Sequence, residues 1–203
     1  RFHSWFRDNL AKLGIEQEDA DGFQSFIDID FKFFLSAYKH ILTAERKLSD
    51  SLQHIYYIRR WGIANSLSYP LLLSSLKTKD SSEIVIEKMD LVARYIEAFV
   101  VRRSVNFRKF ASSSIRYTMY TLVKEIRRTE VHELKSILDR KMDEMEESWS
   151  GIQNFRLHGQ NRVFVKFLLS RLTAFVEQQS GLNSSFEKYY HNPGGKPFEV
   201  EHI

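Results

Sequence analysis

No cysteine occurs among the 203 residues. That removes disulfide scaffolds, thiolate-bound zinc, iron–sulfur clusters and cysteine nucleophiles together, so any metal would have to be held by histidines and carboxylates. Proline and glycine are scarce, with 3 and 8 residues. A sandwich or barrel asks for a turn about every 8–12 residues, and this supply is too small for one. No apolar run approaches the roughly 18 residues of a membrane span, and Arg1-Phe2-His3-Ser4-Trp5 lacks the apolar stretch of a signal peptide. A cytoplasmic protein without membrane contact is the expectation. Nor is one sign of charge in large excess: 30 Lys and Arg stand against 26 Asp and Glu, a net +4, with a pI near 9.2. Such a balance permits contact with nucleic acid without requiring it.

What the chain does hold is apolar and aromatic material. Hydrophobic residues make up 43% and aromatics 14%, with 16 Phe and 9 Tyr, which excludes disorder and low complexity and is enough for one packed domain. The apolar residues recur at helical spacing. Phe2, Trp5, Phe6, Leu10 and Leu13 form a first short stripe ending at Gly14. A long amphipathic helix is predicted over 18–45 from Phe23, Phe26, Ile27, Phe31, Phe34, Leu35, Tyr38, Ile41 and Leu42, with a kink or break at the poor helix formers Asp28 and Asp30. Gly62 and Pro70 divide the next stretch into two short helices, Pro70 lying in a first turn or at a kink.

Asp80-Ser81-Ser82-Glu83 is a helix start, because a short polar side chain takes an orphan backbone N–H of the first turn. Val85, Met89, Val92, Ile96 and Phe99 then form the strongest stripe in the chain. Ile115, Met119, Leu122 and Ile126 mark another helix, and Thr129 is expected to cap the one carrying Val131, Leu134, Leu138, Met142, Met145 and Trp149. The acidic end of that helix, Glu144, Glu146 and Glu147, opposes the macrodipole and is expected to fray. Phe164, Leu168, Leu172 and Phe175 carry the last clear helix, closed by Gly181. From Asn183 onward turn residues dominate, and Phe198-Glu199-Val200-Glu201-His202-Ile203 alternates with period two, a strand signal. The expected fold is all-α, a bundle of about seven helices over 1–182, followed over 183–203 by a linker and an incipient strand of a further unit. The opening on Arg1 and the close on Ile203 fit a stretch of a longer protein.

Motifs for chemistry are few. The seven histidines include no pair spaced i, i+4, and His132-Glu133 is not followed by the second histidine of H-E-x-x-H. Pro193-Gly194-Gly195-Lys196-Pro197 lacks phosphate-loop spacing, and its second proline blocks a helix start, so it reads as a tight turn. No G-x-S-x-G presents a nucleophile. The acidic run 139–147 reads as a solvated helix face. The basic clusters carry more: Arg102 and Arg103 with Arg108 and Lys109, and Arg127 with Arg128, stand beside small hydrogen-bonding side chains, a composition suited to phosphate backbones. The competing reading is that paired arginines at helix ends complement the dipole or neutralise acids on neighbouring helices.

One resemblance adds to this. Phe198-Glu199-Val200-Glu201-His202-Ile203 resembles the opening strand of the HNH module of GmrSD-type, modification-dependent restriction endonucleases, where a Glu-His-Ile stretch begins the nuclease motif. Upstream, Phe33-Phe34-Leu35, Tyr69-Pro70-Leu71-Leu72-Leu73, Arg102-Arg103-Ser104-Val105-Asn106, Phe164 to Leu169 and Tyr189-Tyr190 resemble the helical region that joins the nuclease to an N-terminal ParB-like nucleotide-hydrolysing domain. The resemblance implies that His202 is the general base that activates water, and that the full-length protein is a DNA endonuclease using a divalent metal and a nucleotide. The remaining HNH ligands and the motif of the ParB-like domain are missing here, so this stretch is expected to be non-catalytic by itself, to bind no cofactor, and to have DNA and the two flanking domains as partners. An all-α protein-interaction domain unrelated to any nuclease is the alternative. A metal-dependent enzyme complete within these residues comes third.

Overall fold

A computed structural model describes residues 2–16, 19–108, 111–159, 161–196 and 198–200. They form ten α-helices, and the fold is all-α.

Helix α1 (Phe2–Asp8) runs into a 3-10 turn, Leu10–Leu13, which ends at Gly14 with φ +73. Asp19 caps α2 (Ala20–Ser25) by accepting the Gly22 N–H at 2.8 Å. The predicted interruption at Asp28 and Asp30 is a π-helical stretch, Phe26–Phe31, that passes without a break into α3 (Lys32–Arg46). A π stretch widens the turn locally and often sits at functional positions. Helices α4 (Gln53–Arg60) and α5 (Asn65–Ser74) are the two short helices predicted around Gly62, whose φ is +69. Pro70 lies inside α5 rather than in its first turn, on an exposed flank.

Helix α6 (Ser82–Val105) is the axis of the fold, 24 residues or about 36 Å long. Ser81 Oγ accepts the Ile84 N–H, the cap anticipated from the Ser-rich start. Both faces of α6 are covered, by α4 and α5 on one side and by α8 (Val131–Asp143) and the 3-10 turn Trp149–Asn154 on the other. Met89, Val92, Ala93, Ile96 and Val100 are therefore fully withdrawn from solvent. Helix α7 (Ser112–Glu125) packs on α5 through Ile115, Met119 and Leu122. Thr129 does not cap α8: it is buried, its hydroxyl donates to the Ile126 carbonyl, and Glu130 occupies the cap position without a side-chain bond. A hydroxyl that can reach back to a carbonyl of the preceding turn satisfies that acceptor instead of the next helix's donors.

Helix α9 (Arg162–Gln179) ends before Gly181, φ +77, as its sequence predicts. The expected change of character at Asn183 comes later in the fold, because α10 (Phe186–Tyr190) packs back on α9 and belongs to the helical core. Phe186 is 1% exposed and lies 5.1 Å, centroid to centroid, from both Tyr57 and Phe167, while Trp61 meets Phe167 at 4.1 Å. Of the expected strand, residues 198–200 are irregular and 201–203 lie outside the described residues; no strand occurs among the described residues. A single alternating segment without a pairing partner has nothing to satisfy its ladder.

Candidate nucleic-acid interface

The basic residues singled out in the sequence separate into two groups. Arg102 is 7% exposed, and its guanidinium donates to the carbonyls of Met142, Met145 and Glu147. It thus serves carbonyls at and just beyond the C-terminal end of α8, where Arg140 and Lys141 of the last turn also offset the dipole. Arg103 donates to Glu147 Oε1 at 2.8 Å in a mostly buried ion pair and lies over the Phe99 ring. These two arginines take the structural role, complementing a dipole and neutralising an acid, and Arg102 has no surface to offer a phosphate. Arg108 is exposed, next to Phe107, which has φ +57. Lys109 and His202 lie outside the described residues.

Arg127 and Arg128 are placed differently. Both follow the end of α7, both are exposed, and neither side chain is engaged by an ion pair or hydrogen bond among the described residues. Arg128 has φ +56, and its backbone N–H donates to the Ser74 carbonyl at 2.9 Å, fastening the turn to the end of α5. A left-handed residue after a helix is most often glycine, which takes it without strain; here the position carries a long cation.

The two arginines edge a groove of about 590 Å³ between the π-helical stretch, α5 and α7. Its floor is apolar, formed by Phe26, Phe34, Leu73, Leu76 and Val123. Lys12 from the first 3-10 turn and Lys124 of α7 add two further cations, and Asp30 is the one acid in the lining. Tyr120 and Phe31 stand at its sides, 59% and 50% exposed, with Lys124 Nζ 4.7 Å from the Tyr120 ring centroid. Sequence reasoning missed Lys12, Asp30, Phe31, Tyr120 and Lys124. Tyr120 and Lys124 had a signal, since they precede Arg127 by seven and three positions and share its helical face; Lys12 had none, because only the tertiary fold brings the N-terminal turn to this place.

A second polar cluster lies among α4, α6, α9 and α10. His54 Nδ1 is 2.6 Å from Glu97 Oε2, and Arg171 bridges both Glu97 oxygens at 3.0 and 3.3 Å while covering the Tyr57 ring. Tyr56 donates to Glu187 Oε1 at 2.9 Å beneath Arg60. Burial raises the hydroxyl pKa of Tyr57, partly offset by Arg171, and raises that of Tyr56, helped by its bond to Glu187. The cluster consists of mutually satisfied pairs that tie four helices together.

Among the described residues no group of three or more His, Asp or Glu side chains could hold a metal ion. The glycine turn after α10 is closed on itself, with Gly195 N–H bonded to the Asn192 carbonyl and Asn192 Nδ2 to that of Lys196. Among the described residues no helix is long and apolar enough to cross a membrane. Comparison with protein families, curated proteins and solved structures finds no match.

Proposed function

We propose that this chain is the helical connecting region of a cytoplasmic phage-defence DNA endonuclease of the kind its C-terminus resembles, a scaffold that also grips the DNA backbone. In this reading the flanking ParB-like and HNH domains hold the nucleotide and the divalent metal, and His202 acts as general base only once the HNH site is complete. The observation that carries the DNA contact is the pair Arg127 and Arg128, exposed, without partners among the described residues, and joined by Lys12 and Lys124 around one groove. Unpaired cations gathered on one face attract phosphates independently of sequence. Cations beyond a helix end also offset its dipole, and Lys12, in the last turn of its 3-10 segment with Nζ 2.8 Å from Asn9 Oδ1, has that role as well; the gathering of all four cations at one groove is what the DNA reading explains.

Fluorescence anisotropy of the 203-residue chain on a labelled 25-base-pair duplex, from about 50 to 200 mM salt, tests the reading. Affinity is expected to fall at least about tenfold over that range, and the double variant Arg127→Ala/Arg128→Ala to flatten the dependence. Absence of binding at 50 mM overturns it.

A second reading, a protein-interaction domain, is favoured by α9. Leu169, Leu172, Phe175 and Val176 recur there in steps of three and four and are each about half exposed, with Leu182 beyond them. Contiguous exposed apolar residues on one helix mark a face that packs against another protein surface.

A further inference from the structure

We propose that the groove between the π-helical stretch, α5 and α7 holds one unpaired nucleotide of a DNA strand, the base between Tyr120 and Phe31 and the phosphate on Arg127 and Arg128. This deepens the reading of the face as a DNA contact and rests on it.

A backbone-tracking surface needs cations alone. This face has in addition a groove of about 590 Å³ lined in part by apolar side chains, within the roughly 300–1,000 Å³ of small-molecule sites. It also has two large aromatic side chains, Tyr120 and Phe31, left about half exposed in a lining that includes Leu73, Leu76 and Val123. Aromatic rings beside a basic groove are the means by which proteins hold single strands, since every base has a π face to stack. Duplex DNA keeps its bases stacked on one another and offers nothing to Tyr120 or Phe31.

The polar groups set the direction. Asp30 repels a phosphate and accepts hydrogen bonds from the N–H edge of a base, so the base end lies toward the π-helical stretch. Arg127 and Arg128, free of ion pairs among the described residues, take the phosphate at the other end. Lys124, already over the Tyr120 ring, adds a cation to the same lining. The widened π turn is what places Asp30 and Phe31 at the mouth, because Phe26–Phe31 departs there from α-helical register.

Anisotropy with a labelled 12-nucleotide single strand and a 12-base-pair duplex at 150 mM salt tests this on the 203-residue chain, with circular dichroism checking the fold of each variant. The single strand is expected to bind at least tenfold more tightly, although its lower charge density alone would make it the weaker ligand. Tyr120→Ala should abolish that preference, while Tyr120→Phe, which keeps the stacking face, should retain it. Equal binding of strand and duplex, unaffected by Tyr120→Ala, overturns the nucleotide site and leaves the backbone contact standing. No binding of either at 50 mM salt overturns both. Deoxynucleoside monophosphate that displaces the strand at equal affinity per site overturns the strand as occupant and assigns the groove to a free nucleotide.

Discussion

Lys88 Nζ lies 2.7 Å from Asp80 Oδ2, with the two side chains 0% and 6% exposed, at the corner where α5 passes into α6. The ammonium also donates to the Ser75 carbonyl, and Asp80 Oδ2 also accepts the Lys77 N–H. A buried pair of this kind is costly to halve, because the survivor is an uncompensated charge. Asp80→Ala is therefore expected to destabilise the fold by about 3–5 kcal/mol, whereas replacing both partners together, Asp80→Asn with Lys88→Met, should cost much less. Urea unfolding of the three proteins measures this. Equal losses for single and double variants would show that the pair does not act as a unit.

Arg102 gives a prediction that separates structure from binding. Its guanidinium serves three carbonyls that are 40 to 45 positions away in sequence, and removing it leaves buried acceptors unpaired at about 1–3 kcal/mol each. Arg102→Gln should lower stability by about 2–4 kcal/mol while DNA affinity, measured where the variant is still folded, stays within twofold. A loss of affinity at unchanged stability would contradict the structural role.

Those carbonyls also show why the arginines could not be sorted in advance. Arg102-Arg103 and Arg127-Arg128 look alike as dipeptides at helix ends, and what separates them is the loop 143–148 that folds over the first pair. Period and caps, by contrast, are local, so the stripe of α6, its Ser81 start, the glycines after α1 and α9 and the disturbance at Asp28 and Asp30 were all readable. Thr129 was misread because its hydroxyl had two acceptable partners and the backbone of the preceding turn was nearer. Phe186 falls in the stretch expected to be linker because five residues between turn signals carry too little pattern to announce a core helix, though its ring is among the most buried. The groove needed the fold itself, since its lining comes from four separated stretches of chain.

Asn106 and Gly151 form a second long-range joint. The Asn106 amide donates to the carbonyls of Arg102 and Ser148 at 2.8 and 2.7 Å, and a Cβ on Gly151 would stand 2.5 Å from its Oδ1. Gly151→Ala must push the amide off both carbonyls or shift the turn, so a loss of about 1–3 kcal/mol is expected. Gly159→Ala, where a Cβ meets nothing within 4 Å, is the matched control. Thermal melts of the two settle the comparison, and equal midpoints would remove the joint from the account.

Alkaline pH should destabilise the protein through Tyr95. Burial, aided by the charge of Glu125, pushes its hydroxyl up to about 12, and the side chain is 5% exposed. The folded value lies above the unfolded one near 10, so the neutral form is the one the fold favours. Its contribution is complete below pH 10 and is lost as pH rises from there toward 12, up to about 2–3 kcal/mol in all. Tyr69, held at about 12 by burial and its bond to Glu45, acts in the same sense but is more open to solvent and adds less. Urea midpoints between pH 8 and 11.5 should fall with a slope that Tyr95→Phe reduces. An identical slope in that variant would assign the alkaline loss to other groups.

The exposed face of α9 makes the last prediction, since Leu172 and Val176 stand 48% and 60% exposed. Side chains that bury little on folding contribute little to it, so Leu172→Gln with Val176→Gln should change stability by less than about 0.5 kcal/mol. The same substitutions remove most of an apolar stripe that, in a partner-free chain, should bind a dye such as anilinonaphthalene sulfonate and promote association at high concentration. Dye fluorescence and sedimentation velocity of the native and double-variant chains then test the face without knowledge of its partner. A variant that melts several degrees lower shows the residues to be part of the core, and one that keeps both dye binding and association shows the sticky surface to lie elsewhere. Loss of both at unchanged stability assigns α9 to a packing surface, separate from the basic groove beside α7.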